Sequence, residues 1–121
     1  MLLLHTERGM SMTYEDLFET VRDGVRSADV SFKPGHLAVE IQIEGEAEGV
    51  FYIELKDGAL YAEPYNYNDF DCRLKVSAKN FLKLMEGSLD PVFAFTLGKL
   101  KIDGSLEKAL EFKEILDAVH R

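Results

Sequence analysis

Cysteine is almost absent. Cys72 stands alone in the 121 residues, so no disulfide can form within the chain and nothing points to an oxidising compartment. Long apolar runs are missing too. Met1-Leu2-Leu3-Leu4 is apolar, but His5, Glu7 and Arg8 follow at once. That stretch lacks the basic start and the length of a secretory leader, and no run approaches membrane-spanning length. The expectation is a cytoplasmic protein without stable membrane insertion, its residues 1–12 a loose extension. Metal-ligand spacings such as His-x-x-x-His and Cys-x-x-Cys do not occur. The histidines, His5, His36 and His120, pair with no neighbouring cysteine or serine as a nucleophile and base would. Glycines form no phosphate loop. These absences argue for no catalytic residues, no metal and no cofactor, and against an enzyme.

Positive charge is scarce. Fourteen Lys and Arg face 22 Asp and Glu, a net charge of −8, which argues against a nucleic-acid partner and weakly against docking on an anionic membrane. The charge is uneven. From Asp71 to Gly104 six cations meet four acids, so this stretch carries +2 and the rest −10. Scattered solvated charges are the plainer reading of that asymmetry.

What is present suits one soluble domain with a real core: 46% apolar and 30% charged residues. Thr13, with Asp16 three residues on, predicts a capped helix over Tyr14–Ser27, with Leu17, Val21 and Val25 on one face. Leu37, Val39, Ile41 and Ile43 alternate with Ala38, Glu40, Gln42 and Glu44, a half-buried strand. A second strand holds Phe51, Ile53 and Leu55. Asp57-Gly58 predicts the hairpin turn into Leu60–Glu63. Pro64 to Phe70 reads as an irregular loop, and Asp71 to Ser77 as a fourth strand. Helices follow over Ala78–Glu86 and after Asp90-Pro91, capped by Ser77 and closed by Gly87 and Gly98. Leu100 and Ile102 mark a fifth strand. Ser105 caps a last helix to about Val119, apolar on more than one face. The fold class is α+β, with one sheet face covered by helices and the polar face wet.

Taken in order, several short runs carry a likeness. Phe51-Tyr52-Ile53-Glu54-Leu55-Lys56-Asp57-Gly58 comes first. Asp71-Cys72-Arg73-Leu74-Lys75-Val76, Phe81-Leu82-Lys83-Leu84 with Gly87, and Leu89-Asp90-Pro91 follow. Ala94-Phe95 and Gly98-Lys99-Leu100-Lys101-Ile102 complete the order. This pattern resembles the sterol carrier protein type 2 family over about Leu37 to Leu116. The resemblance implies a five-stranded, largely antiparallel sheet with helices on one face and an apolar tunnel between them. It also implies binding or carriage of a sterol, fatty acid, fatty acyl or isoprenoid lipid. No peroxisomal tripeptide stands before Arg121, and the tail that helps close the tunnel in some relatives is short, so neither peroxisomal targeting nor full enclosure is expected.

Such binding needs apolar surface that the chain leaves unfilled. Each buried methylene contributes roughly 0.8 kcal/mol, so a long tail gains on the order of 10 kcal/mol before the costs of association. The candidates to line a tunnel are Phe81, Leu84, Met85, Phe93, Phe95, Leu100, Ile102, Leu110 and Ile115. Taken singly, each reads more readily as a plain core residue; the surplus of apolar surface on the last helix is what favours a cavity. Lys99 and Lys101 could meet an anionic head group, although a solvated strand face suits them as well. Tyr61, Tyr65 and Tyr67 mark either a binding surface or a loop packed on the sheet. Cys72 reads as a buried small hydrophobe. The alternative function is a non-catalytic assembly module with a filled core and a protein partner.

Overall fold

The computed structural model describes residues 12–120. Residues 1–11, with His5 and all but Met12 of the expected loose extension, lie outside the described residues, as do the side chain of His120 and all of Arg121.

Helix α1 (Tyr14–Arg26) starts at a capping box. The Thr13 hydroxyl accepts the Asp16 N–H at 3.0 Å, and the Asp16 carboxylate accepts the Thr13 N–H at 3.3 Å. Two amides that the first turn leaves without helical partners are thereby satisfied. Leu17, Phe18, Val21 and Val25 are buried, the single apolar stripe that the sequence carries.

Strands β1 (Leu37–Glu44), β2 (Gly49–Lys56) and β3 (Ala59–Glu63) form an antiparallel meander. Asp57 and Gly58 turn β2 into β3 with φ of 52° and 77°, the left-handed pair that a two-residue hairpin turn of this hand requires. Strand β4 (Cys72–Ser77) lies parallel to β1, Val39 opposite Cys72 and Ile43 opposite Val76. Strand β5 (Leu100–Gly104) runs antiparallel to β4 at the sheet edge. The spatial order is β3-β2-β1-β4-β5, five strands with one parallel pair. Gly104 has a φ of 92°, and a Cβ there would meet the Asp71 carbonyl at 2.8 Å. Glycine is what lets β5 close on the start of β4.

Helix α2 (Ala78–Glu86) is capped by Ser77, whose hydroxyl accepts the Asn80 N–H at 3.1 Å. Asp90 caps α3 (Pro91–Thr96) through the Phe93 N–H at 2.9 Å, and Ser105 caps α4 (Leu106–His120) through the Lys108 N–H at 3.0 Å. All four helices lie on one face. α1 lies against β3, α4 runs across β1, β4 and β5, α2 sits between α1 and α4, and α3 packs on β5. Under α1 and α2 the core is a chain of rings. Phe18 meets Phe51, and Phe51 meets Phe81, each edge-on at 5.7 Å, the geometry that ring quadrupoles favour.

The other face is not uniformly wet, contrary to the alternation. Ala38 and Glu40 of β1 are buried there. The connection from β3 to β4 folds back over the central strand. Glu40 accepts the Tyr67 N–H at 2.8 Å and the Arg73 Nε–H at 2.7 Å, while Asp71 accepts the Ala38 N–H at 2.8 Å. A buried carboxylate is tolerable only when paired and hydrogen-bonded, and both conditions are met. Tyr67 also donates its hydroxyl to Glu54 at 3.0 Å and packs its ring edge-on against Tyr52. It is therefore a loop anchor, whereas Tyr61 and Tyr65 stay exposed.

Candidate functional site

The helices do not fill the sheet face evenly. Over β4 and β5 they leave a cleft of about 170 Å³. Its floor is Leu74 of β4 with Leu100 and Ile102 of β5. These residues alternate along adjacent strands, so their side chains rise on one face; Leu74 stands opposite Ile102 in the ladder. Leu84 of α2 closes one end, and Pro91, Val92 and Phe95 of α3 form a wall. The opposite wall is α4, with Leu106, Ala109, Leu110, Phe112, Lys113 and Leu116. Val92, Phe95, Leu106 and Leu110 are exposed, so the space is a cleft open along one side. Full enclosure was not expected of this chain, and the space seen is an open cleft, because α3 is one short helix and nothing among the described residues spans from it to α4.

Helix α4 explains why the cleft exists. Phe112, Ile115 and Leu116 point into the core and are buried. Leu106 and Leu110, one turn apart, form a second apolar line that faces the cleft. A helix with two apolar lines has more greasy surface than one packing partner can cover. Lys113 continues that line one turn on and is the charged residue of the lining. Its ammonium lies 3.6 Å from the Asp117 carboxylate.

Of the nine residues proposed from sequence, Leu84, Phe95, Leu100, Ile102 and Leu110 are on the cleft. Phe81 instead ends the ring chain beside Phe51. Met85 is drawn towards α1, where its Cε would stand 2.9 Å from a Cβ at Gly24; the missing side chain makes the room that Met85 fills. Ile115 is buried in the core, and Phe93 points to solvent from the far side of α3. Sequence reasoning missed Leu74, Pro91, Val92, Leu106, Ala109, Phe112, Lys113 and Leu116. The spacing of Leu106, Leu110 and Lys113 was the signal that could have found the α4 wall. Lys99 and Lys101 are exposed and off the lining.

Chemistry at the cleft is limited by what lines it. Apart from Lys113 every lining side chain is apolar. Cys72 lies on the same strand as Leu74 but is fully buried. Burial, helped by the negative charge of Asp71, pushes its thiol up to about 12, so thiolate is scarce at neutral pH. His36 stands just before β1 and off the cleft lining, 2.6 Å from the Glu54 carboxylate. Among the described residues no cluster of three or more His, Cys, Asp or Glu is arranged to hold a metal, and no helix is long and apolar enough to cross a membrane.

Residues 12–117 match the family model described as "SCP-2 sterol transfer family". Among curated proteins, the chain is 28% identical over 116 residues to hydroxysteroid dehydrogenase-like protein 2 of Bos taurus, covering 93% of this chain and 27% of that one. The chain thus spans about a quarter of the length of that relative. Among solved structures, sterol carrier protein 2 from Yarrowia lipolytica, in its apo form, matches with a TM-score of 0.63 and 23% identity, over 92% of this chain and 94% of that one. Sterol carrier protein-2 from Aedes aegypti, solved in solution as a complex with the C16 fatty acid palmitate, matches with a TM-score of 0.62 and 16% identity, over 90% and 98%.

Proposed function

We propose, because the chain belongs to the SCP-2 sterol transfer family and leaves an apolar cleft beneath α4, that it binds and carries the tail of an apolar lipid there without catalysing a reaction. Ligands of this class are sterols, fatty acids, fatty acyl groups and isoprenoid lipids. The observation that carries the reading is the cleft: about 170 Å³, apolar on every side but one lysine. A cavity of roughly 150 Å³ with such walls holds benzene, so the cleft seats one end of a tail. The rest would lie over Val92, Leu106 and Leu110 at the open side. This arrangement favours a slender chain over a rigid ring system. The Aedes aegypti relative with palmitate supports the same preference. Lys113, ion-paired with Asp117 at the border of otherwise apolar walls, has no nucleophile beside it on the lining with which to form a catalytic unit. A cytoplasmic location, resting on the single free thiol, belongs to the same proposal.

Native mass spectrometry of the purified chain, followed by displacement of a fluorescent fatty acid, tests the reading. Co-purified lipid and displacement at micromolar concentration are expected; a bare protein that displaces nothing overturns it.

The second reading, a non-catalytic assembly module, has one observation in its favour. The chain corresponds to about a quarter of hydroxysteroid dehydrogenase-like protein 2, where a domain of this kind sits beside other sequence. A stable protein partner captured without bound lipid would select it.

A further inference from the structure

An edge strand leaves half of its backbone amide groups without a ladder partner. The edges of this sheet are β3 and β5, and they are treated differently. Helix α1 lies against β3, and Pro64 follows that strand at once. β5 pairs with β4 on one side and, among the described residues, with nothing on the other. The Ser105 N–H donates to the Asp71 carbonyl at 3.0 Å. Amide groups alternate in direction along an antiparallel strand, so Asp103 and Lys101 also turn theirs to β4. Leu100, Ile102 and Gly104 turn theirs outward, and no proline interrupts the row.

Large apolar side chains gather at the same edge. Among the described residues nine are exposed, and six of them lie between Val92 and Leu110, on α3, just after it, or at the start of α4. Such a patch marks a contact surface. Val92, Phe95, Leu106 and Leu110 border the cleft. Helix α3 packs on β5, and α4 begins one residue after β5 ends. The cleft therefore lacks its wall on the side that lies beyond β5.

Strand β5 is complementary to itself. Two copies laid antiparallel, Ile102 opposite Ile102, exchange the outward amides of Ile102, and those of Leu100 with Gly104. Lys101 of each copy then stands opposite Asp103 of the other, in the pairs whose side chains come closest. Moving the centre by one residue sets Lys101 against Lys101 or Asp103 against Asp103. Lysine on an edge strand ordinarily blocks pairing; here one register answers it.

Charge selects this register without supplying the affinity. On the polar face Lys75 and Arg73 lie 3.5 and 3.6 Å from Asp103, and Glu40 holds Arg73. Lys99 is exposed just before the strand. Arg73 and Glu40 cancel, which leaves three lysines to one aspartate along each strip. Two strips repel as wholes, and so does the −8 of each chain. Attraction comes from the apolar side chains over the other face.

We propose that a second copy of this chain pairs along β5 in this register and closes the cleft. The two-fold axis then passes through the Ile102 pair, perpendicular to the sheet. Both helical layers fall on one side, and the open mouths face each other. Ile102 belongs to the cleft floor, so the two floors become continuous. Helix α3 and Leu106 of each copy supply the wall that the other lacks. The pairing stands on the edge; its effect on a ligand rests on the lipid-binding reading of the cleft.

Sedimentation velocity of the full chain from micromolar to millimolar concentration, with and without palmitate, is the test. A reversible species of twice the 13.7 kDa chain is expected. It should tighten as salt screens the two strips, and roughly tenfold on saturation with palmitate. Asp103→Lys should weaken it roughly tenfold or more, and adding Lys101→Asp should restore it. Cysteines read the register independently. Cα atoms of the closer pairs lie about 4.5 Å apart, within disulfide reach. Mild oxidation should cross-link Lys101→Cys copies to Asp103→Cys copies, and neither to itself. A chain that stays monomeric at millimolar concentration with palmitate overturns the proposal. So do a dimer that Asp103→Lys leaves intact, cross-linking of Lys101→Cys with itself, and a dimer that binds palmitate without tightening. A dimer in this register that displaces no fluorescent fatty acid strikes the cleft reading instead and leaves the pairing standing.

Discussion

The two sides of the helical layer treat the same sheet differently. Under α1 and α2, Phe18, Phe51 and Phe81 fill the space ring against ring, all buried. Under α3 and α4, over β4 and β5, residues as large are present, yet about 170 Å³ stays open. Amount of apolar material is not what separates the sides. Geometry is: α1 has one apolar stripe and presses all of it on the sheet, whereas α4 has two and can press only one. β4 carries the boundary, with Cys72 sealed and Leu74, two residues on, at the cleft floor. Filled packing holds the fold together; the unfilled part is where a ligand can add contacts that the chain does not make for itself.

The largest expected effect is on the filled side. Phe81→Ala removes a fully buried ring from the end of the chain and should cost about 3–5 kcal/mol, read as a lower urea midpoint. A cost below about 1 kcal/mol would mean that this side is as loosely filled as the other.

Substitution at the open side should separate binding from stability. Leu110→Asp puts a charge on the cleft wall at an exposed position. Affinity for a fluorescent fatty acid should fall at least tenfold, about 1.4 kcal/mol, while unfolding free energy moves by no more than about 0.5 kcal/mol. If stability falls as far as affinity, the comparison between the sides breaks down.

Filling the gap sharpens the same contrast. Ala109→Phe brings a ring to the lining. It should block displacement of the fatty acid and change stability by less than about 1.5 kcal/mol. Unchanged displacement would place the ligand elsewhere.

The smallest effect concerns Cys72. Its thiol titrates at about 12 in the folded state against an ordinary 9.0. The folded protein therefore holds this proton more tightly than the unfolded chain. Stability from this group is complete below pH 9 and is lost as pH rises towards 12. At pH 8, alkylation should be slow in the folded protein and fast in urea; rapid alkylation without urea would show that the filled side opens.

The sequence makes much of this fold legible. Alternation marks β1, β2 and β4, capping residues mark the starts of α1, α2 and α3, and Asp57-Gly58 marks the hairpin, because each is a local preference that the structure keeps. Glu40 is the instructive exception. Its place in the alternation assigns it to a wet face, but burial there is set by Tyr67 and Arg73, which reach it from 27 and 33 residues away. The cleft is half legible for a similar reason. A pattern shows that Phe81, Met85 and Ile115 face inward as Leu84 and Leu100 do. Only the tertiary arrangement, such as the room at Gly24 for Met85, decides which inward residues meet each other and which meet empty space. The opposite error falls on Leu106 and Lys113, which border the cleft from a helix face that looks like surplus.

The central claim, that the space over β4 and β5 receives a lipid tail while the side under α1 stays closed, is tested most directly by methyl-resolved NMR of the chain titrated with palmitate. Shifts are predicted at the methyls of Leu74, Leu84, Val92 and Leu110, with those of Leu17, Val21 and Ile41 unmoved. Shifts centred on Leu17, Val21 and Ile41, or no shifts at saturating palmitate, would contradict it.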